Sequence, residues 1–451
     1  MHIFSRERSI SMGRNRTKIS PKLVYYNTIS SPLSPTRSGL IATNATGAFR
    51  SKTTQRVCLV GFKKLSDFHR LYVCSFLRID ITHPAESEES HWFFVRFWSV
   101  WMMAVLALYL GTVLMDETLR SLSPRGQFNF IIFALLIYST HMEAFVIANL
   151  MRVCRKKWVE IIADCERLEE RMVATSSMAQ SMRSSAQFIL YIQWLIIAFN
   201  FGINIINDFG MGMWNHYNIK MTVHMQATCY IFSFIGGLMI PSNATVARVW
   251  MMYFGRLFRT YIQQIAKLLR EVLDSNDTLE AKVIAIDDLR VQLNHVRVIA
   301  EKLSKVLGVG ILFGYGYTIP LLCIGGYFVT MPSMRFRVRA YFAAFAFAHI
   351  VSILVPVVIV AQLSRGIADL KRMIEEMSVR NAPPLLRTHL ALLDRAVLTE
   401  DFRIDARGFF KADLDMFINI MGASVTYTVV LSQAHNRMFD EQTSDMSLLE
   451  V

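Results

Sequence analysis

This sequence predicts an all-α membrane protein, and three observations lead there. The 451-residue chain is 53% hydrophobic with a mean hydropathy of +0.34, too apolar for a water-soluble chain of this length. Seven segments are long and apolar enough to cross a hydrocarbon core about 30 Å thick, which takes about 20 helical residues. The basic residues fall beside these segments with a strong bias to one side.

The spans lie at 97–115, 128–150, 188–206, 221–240, 306–331, 341–361 and 417–434. The second carries His141 and Glu143, which are costly in lipid. They are read as turned toward the bundle or the inner interface, with a partner or by snorkelling, a ligand or ion contact being the alternative. Of 48 Lys and Arg residues, 15 precede the first span, and 7, 10 and 9 follow spans two, four and six, with Arg248 counted after span four. That puts 41 on one side and 7 on the other, so the N-terminus is expected in the cytoplasm and the C-terminus outside. Arg335, Arg337 and Arg339 run against the bias locally. The sequons at Asn15, Asn44 and Asn276 fall on the cytoplasmic side and Asn243 at a membrane edge.

Residues 1–60 are rich in Ser, Arg and Thr and read as a disordered basic cytoplasmic tail able to touch anionic membrane lipid. Residues 61–434 form the seven-helix membrane domain and 435–451 an acidic extracellular tail. Apolar residues recur every three or four positions at 158–172, 261–273 and 289–307, so spans four, five and six are expected to continue as helices below the membrane. The net charge of +13 is placed by the spans, and nucleic acid is not expected as a partner. None of the six cysteines has metal-ligand or CxxC spacing, and no P-loop, HExxH or GxSxG occurs. No enzyme, metal or cofactor is therefore expected.

Phe313-Gly314-Tyr315-Gly316 resembles a potassium filter in letters only, because it lies inside one continuous apolar stretch. Gly308, Gly310, Gly314, Gly316, Gly325 and Gly326 are read as allowing close helix approach or bending. A small-molecule pocket is expected among the outer halves of spans two to six. Its candidates are Phe130, Phe133, Phe201, Asn204, His224, Gln226, Tyr230, Tyr317, Tyr327, Tyr341, Phe345 and His349: apolar walls with a few polar groups.

The last span reads FINIMGASVTYTVVLSQA. Asn419, Thr426 and Gln433 recur every seven residues, drift about 20° per step, and form one narrow polar stripe that Gly422 joins. Such a stripe must face protein or water rather than lipid, so this helix is a candidate pore wall.

The run Thr426-Tyr427-Thr428-Val429-Val430-Leu431-Ser432-Gln433 resembles the insect gustatory receptor signature of Thr-Tyr, five mostly apolar residues and Gln before Phe. Ala406-Arg407-Gly408-Phe409-Phe410 and Met416-Phe417-Ile418-Asn419-Ile420-Met421-Gly422-Ala423 look like that family's final segment. The resemblance implies a ligand-gated cation channel, a homo- or hetero-tetramer with other gustatory receptors. Four copies of the last helix would surround the pore, and a small-molecule tastant would bind within each subunit. It places Gln433 at the constriction, Thr426 and Tyr427 at contacts to neighbouring helices, and Asn419, Val430 and Ala434 along the pore or gate. Ala434 stands where the family carries Phe, which argues against a gate built on a bulky aromatic there, and Thr428 stands where its sugar receptors carry Glu, which points to a bitter or other aversive ligand. The implied location is the plasma membrane of a chemosensory neuron, on its dendrite. A G-protein-coupled receptor would need the opposite orientation, and neither its Asp/Glu-Arg-Tyr nor its Asn-Pro-x-x-Tyr motif occurs. A transporter would need repeated halves with broken helices.

Overall fold

In the computed structural model, the described residues are 56–71, 77–79, 87–89, 142–143, 146–147, 153–172, 174–205, 244–331, 334–379, 383–397, 402 and 404–449. Among them the chain forms eight helices: α1 (Val57–Leu71), α2 (Arg155–Arg171), α3 (Ser176–Ile205), α4 (Val246–Asp274), α5 (Leu279–Thr330), α6 (Phe336–Val379), α7 (Pro384–Ala396) and α8 (Leu414–Leu449). One antiparallel pair of three-residue strands, β1 (Leu77–Ile79) and β2 (Ser87–Glu89), departs from the all-helical expectation.

Among the described residues, four helices are long and apolar enough to cross a membrane: α3, α5, α6 and α8. They contain the third, fifth and sixth expected spans, within a residue at each boundary, and the seventh. The first and fourth spans, and all but four residues of the second, lie outside the described residues.

The helices run past any bilayer. At 1.5 Å per residue, the 52 residues of α5 make a rod about 78 Å long against a core of about 30 Å. Nothing in the sequence stops α5 between Leu279 and Thr330, since Pro320 removes one ladder hydrogen bond without ending the helix. The amphipathic stretches at 158–172, 261–273 and 289–307 are all helical, apart from the C-cap residue Met172. A four-residue turn joins α4 to α5, and Thr278 caps α5 by accepting the Ala281 N–H.

The core centres on α4, which packs against α5 and α6. From Val246 to Phe258 every α4 residue but Arg256 is buried, so this stretch is covered on all sides. Phe62, Trp158, Trp250, Tyr253 and Phe254 interlock through tilted and edge-on ring contacts, with centroids 4.4–6.4 Å apart. That geometry favours aromatic pairs beyond the area they bury.

This core corrects the position of Arg248. Spacing from the apolar run 221–240 puts it in the loop beyond, yet its side chain reaches Glu143 in the second expected span, Gly314 and Thr318 on α5, and Ser352 on α6. The bundle part of the fourth helix therefore runs well past residue 240. An arginine is tolerated there because its partners lie inside the bundle.

Candidate functional site

The site is assembled on α5, α6 and α8. α8 lays one face on α5: Met416, Ile420 and Ser424 are buried at a spacing of four residues. The approach is closest at Gly326, where an added Cβ would lie 2.7 Å from Thr428 Oγ1. Thr428 Oγ1 donates to the carbonyls of Ser424 and Cys323, and Thr330 and Ser432 share a hydroxyl contact at 3.2 Å. The glycine is thus a point of close helix approach, as its reading expects; Gly308 is one of close approach by a turn, while Gly314 and Gly325 leave an added Cβ at ordinary contact distance, 3.5 Å from its nearest neighbour in each case. Gly316 meets nothing within 4 Å.

The opposite face of α8 is open. Asn419, Gly422, Thr426 and Gln433 are all exposed in the single subunit, so the sequence stripe lies away from α5. Tyr427 and Val430 are exposed beside it, at 58% and 51%, and Ala434 is half-buried. Such an exposed mixture on an apolar helix needs a partner surface or water.

The segment leading into α8 explains a second motif. Asp405 and Lys411 form an isolated antiparallel bridge, and the turn between them needs positive φ at Arg407 (53°) and Gly408 (82°). This turn docks on Gly308 of α5, where an added Cβ would be 2.7 Å from the Arg407 backbone nitrogen. Ser304 Oγ accepts the Asp405 N–H, and the Arg407 guanidinium donates to the Lys305 carbonyl.

Of the pocket candidates, Tyr341, Phe345 and His349 come together on one stripe of α6, with successive ring centroids 6.4 and 4.5 Å apart. One further step along that face reaches Ser352. Tyr327 is buried on α5 against Phe328, which stacks on Phe342 at 4.3 Å. Tyr317 is held by a separate contact, stacked on Phe313 at 6.0 Å toward the exposed flank of α5. Phe201 is half-buried on α3, and Asn204 falls in the last turn of that helix. Phe130, Phe133, His224, Gln226 and Tyr230 lie outside the described residues, as does His141.

Glu143 has the partner its position demanded. It is fully buried and accepts from Arg248 Nη2 at 2.7 Å, and Arg248 is itself 4% exposed at the side chain. Arg248 Nη2 also reaches the Gly314 carbonyl at 3.0 Å and Thr318 Oγ1 at 3.3 Å, while Nη1 donates to Ser352 Oγ. The guanidinium carbon lies 5.9 Å from the Tyr315 ring centroid. The Gly314 carbonyl of the filter-like run therefore faces this arginine from inside a helix. Reading the sequence missed Arg248, Thr318, Ser352 and Tyr315. The available signal was an arginine inside ATVARVWMMYF, a run otherwise apolar enough to be buried.

Among the described residues, no cluster of His, Cys, Asp or Glu could hold a metal. Solved structures of similar fold include the insect olfactory receptor OR5 from Machilis hrabei in complex with eugenol. It aligns with a TM-score of 0.63 at 11% identity, over 82% of this chain and 97% of that one. A second structure of that receptor aligns with a TM-score of 0.56 at 13% identity, over 83% and 97%. No curated protein matches the sequence. The model of one family, the 7tm chemosensory receptors, matches residues 71–436, most of the chain. The protein therefore belongs to the 7tm chemosensory receptor family.

Proposed function

We propose that this chain is a gustatory receptor working as a ligand-gated, non-selective cation channel in which α8 lines the pore. The observation that carries the reading is the exposure of Asn419, Gly422, Thr426 and Gln433 on the face of α8 opposite its α5 contact. Four subunits, of this chain alone or mixed with other gustatory receptors, would bring four such stripes around one axis. The eugenol-bound olfactory receptor of similar fold supports a small-molecule ligand. Here the ligand binds near the Tyr341–Phe345–His349 ladder, and the Thr428 departure favours an aversive tastant over a sugar. A ligand opens the pore only by binding the open state more tightly, and about 1.4 kcal/mol of preference shifts gating tenfold. Seven spans, a cytoplasmic N-terminus and the plasma membrane of a chemosensory dendrite complete the reading. A G-protein-coupled receptor and an obligate co-receptor subunit are the alternatives.

The test is whole-cell current from the chain expressed alone, across bitter compounds and sugars, with G-protein signalling blocked. A fast ligand-evoked cation current is expected, with resting leak or ion selectivity altered in Gln433→Ala. A ligand response that disappears with the G-protein block overturns the channel.

A further inference from the structure

The buried ion pair joins four parts of the bundle at one guanidinium: Glu143 from the second expected span, Arg248 from α4, Gly314 and Thr318 from α5, and Ser352 from α6. We propose that Arg248 is the positioning residue that couples the pocket helices to the pore helix, an inference that rests on the channel reading above. On one side it bonds Ser352, which continues the α6 face carrying Tyr341, Phe345 and His349. On the other it lies over Tyr315, whose ring meets Phe410 edge-on at 6.1 Å. Phe410 belongs to the turn that leads directly into α8. A shift of α6 relative to α4 therefore pulls on a group that also holds α5 and, through Tyr315 and Phe410, the entrance to α8.

The hub also gathers buried polar groups: Glu143, Tyr315 and His349 are all buried or half-buried, and Glu143 and Tyr315 lie directly against Arg248. Buried polar groups cost free energy unless they are paired, so the packing here depends on which partner each group finds. A network serving only stability would be better replaced by apolar packing, because desolvating two charges offsets most of their attraction. Gly314 borders the pair directly: an added Cβ would lie at contact distance, 3.5 Å from Glu143 Oε1 and 3.6 Å from Arg248 Nη2.

The experiment uses the full chain in cultured cells. Arg248→Met alone strands a buried carboxylate and is expected to be lost from the surface, so the informative variant is Glu143→Met/Arg248→Met, which removes both charges. Two quantities are read, each normalised to surface protein: basal cation current, and the rate at which Gln433→Cys in the same background reacts with a water-soluble thiol reagent. With the hub gone, α8 leaves its resting packing. Basal current is expected to rise about tenfold and labelling about fivefold, with Arg248→Lys intermediate because one ammonium cannot span all the acceptors. Tyr315→Leu added to the double variant is expected to give no further rise, the non-additivity of residues acting as one unit. Current and labelling both within about twofold of wild type, at normal surface levels, would overturn the proposal. Absent current in every variant with labelling still increased would sink the channel reading alone.

Discussion

Gly326 carries a contact that any larger residue would break. The nearest atoms to an added Cβ are Thr428 Oγ1 at 2.7 Å and Cγ2 at 3.0 Å, while Thr428 Cβ itself is 3.4 Å away. Gly326→Ala is expected to cost about 1–3 kcal/mol as an overpacked helix contact. Thr428→Ala deletes the two closest atoms, and should return part of that loss in the double variant. Thermal melting of the detergent-solubilised protein checks both, and additive losses would refute the contact. The glycine was legible as a residue built for close approach, but its partner was not, because Gly326 and Thr428 are 102 positions apart. Glu143 shows the same limit. Its cost in lipid was plain from sequence, while its counter-ion stood 105 positions away in what reads as the loop after a span.

At the scale of elements, α1 is held by a carboxylate from another helix. Glu169 on α2 accepts the Cys58 N–H at 2.7 Å and the Tyr261 hydroxyl at 2.5 Å, and so occupies the N-terminus of α1, where orphan donors and the helix dipole favour an anion. Tyr253 in turn donates to the Cys58 carbonyl. Burial wins over these donors and raises the Glu169 carboxyl from the usual 4.5 to about 7. A carboxyl raised on folding favours the folded state while protonated. Its contribution is complete below about pH 4.5 and is lost as pH rises through about 7. Wild-type protein should therefore melt lower at pH 8 than at pH 6, with a smaller difference in Glu169→Gln, which keeps an acceptor for both donors. Equal pH dependence in the two proteins would exclude Glu169 as its source. The polar stripe of α8 was readable from sequence because a seven-residue repeat is a helical property. The burial of α4 around Arg248 was not, because a helix covered on every side needs no apolar face and tolerates Arg248.

For the whole molecule, the proposed seven spans would place the two ends on opposite sides of the membrane. An epitope at the C-terminus should be reached in intact cells and one at the N-terminus only after permeabilisation, with Asn276, in the turn between α4 and α5, free of glycan. A glycan there would invert the topology. The helical continuations at 158–172, 261–273 and 289–307 were legible from their 3–4 residue periodicity. The bundle's arrangement was not, since its closest contacts join residues a hundred positions apart. The continuity of α5 has a mechanical consequence. Held near Gly314, it is a lever with unequal arms, about 52 Å toward Leu279 and about 24 Å toward Thr330. A swing of about 1 Å at the Thr330 end, beside Ser432 of α8, becomes about 2 Å at the turn joining it to α4. A spectroscopic label on that turn would follow the gate from a distance, with gain.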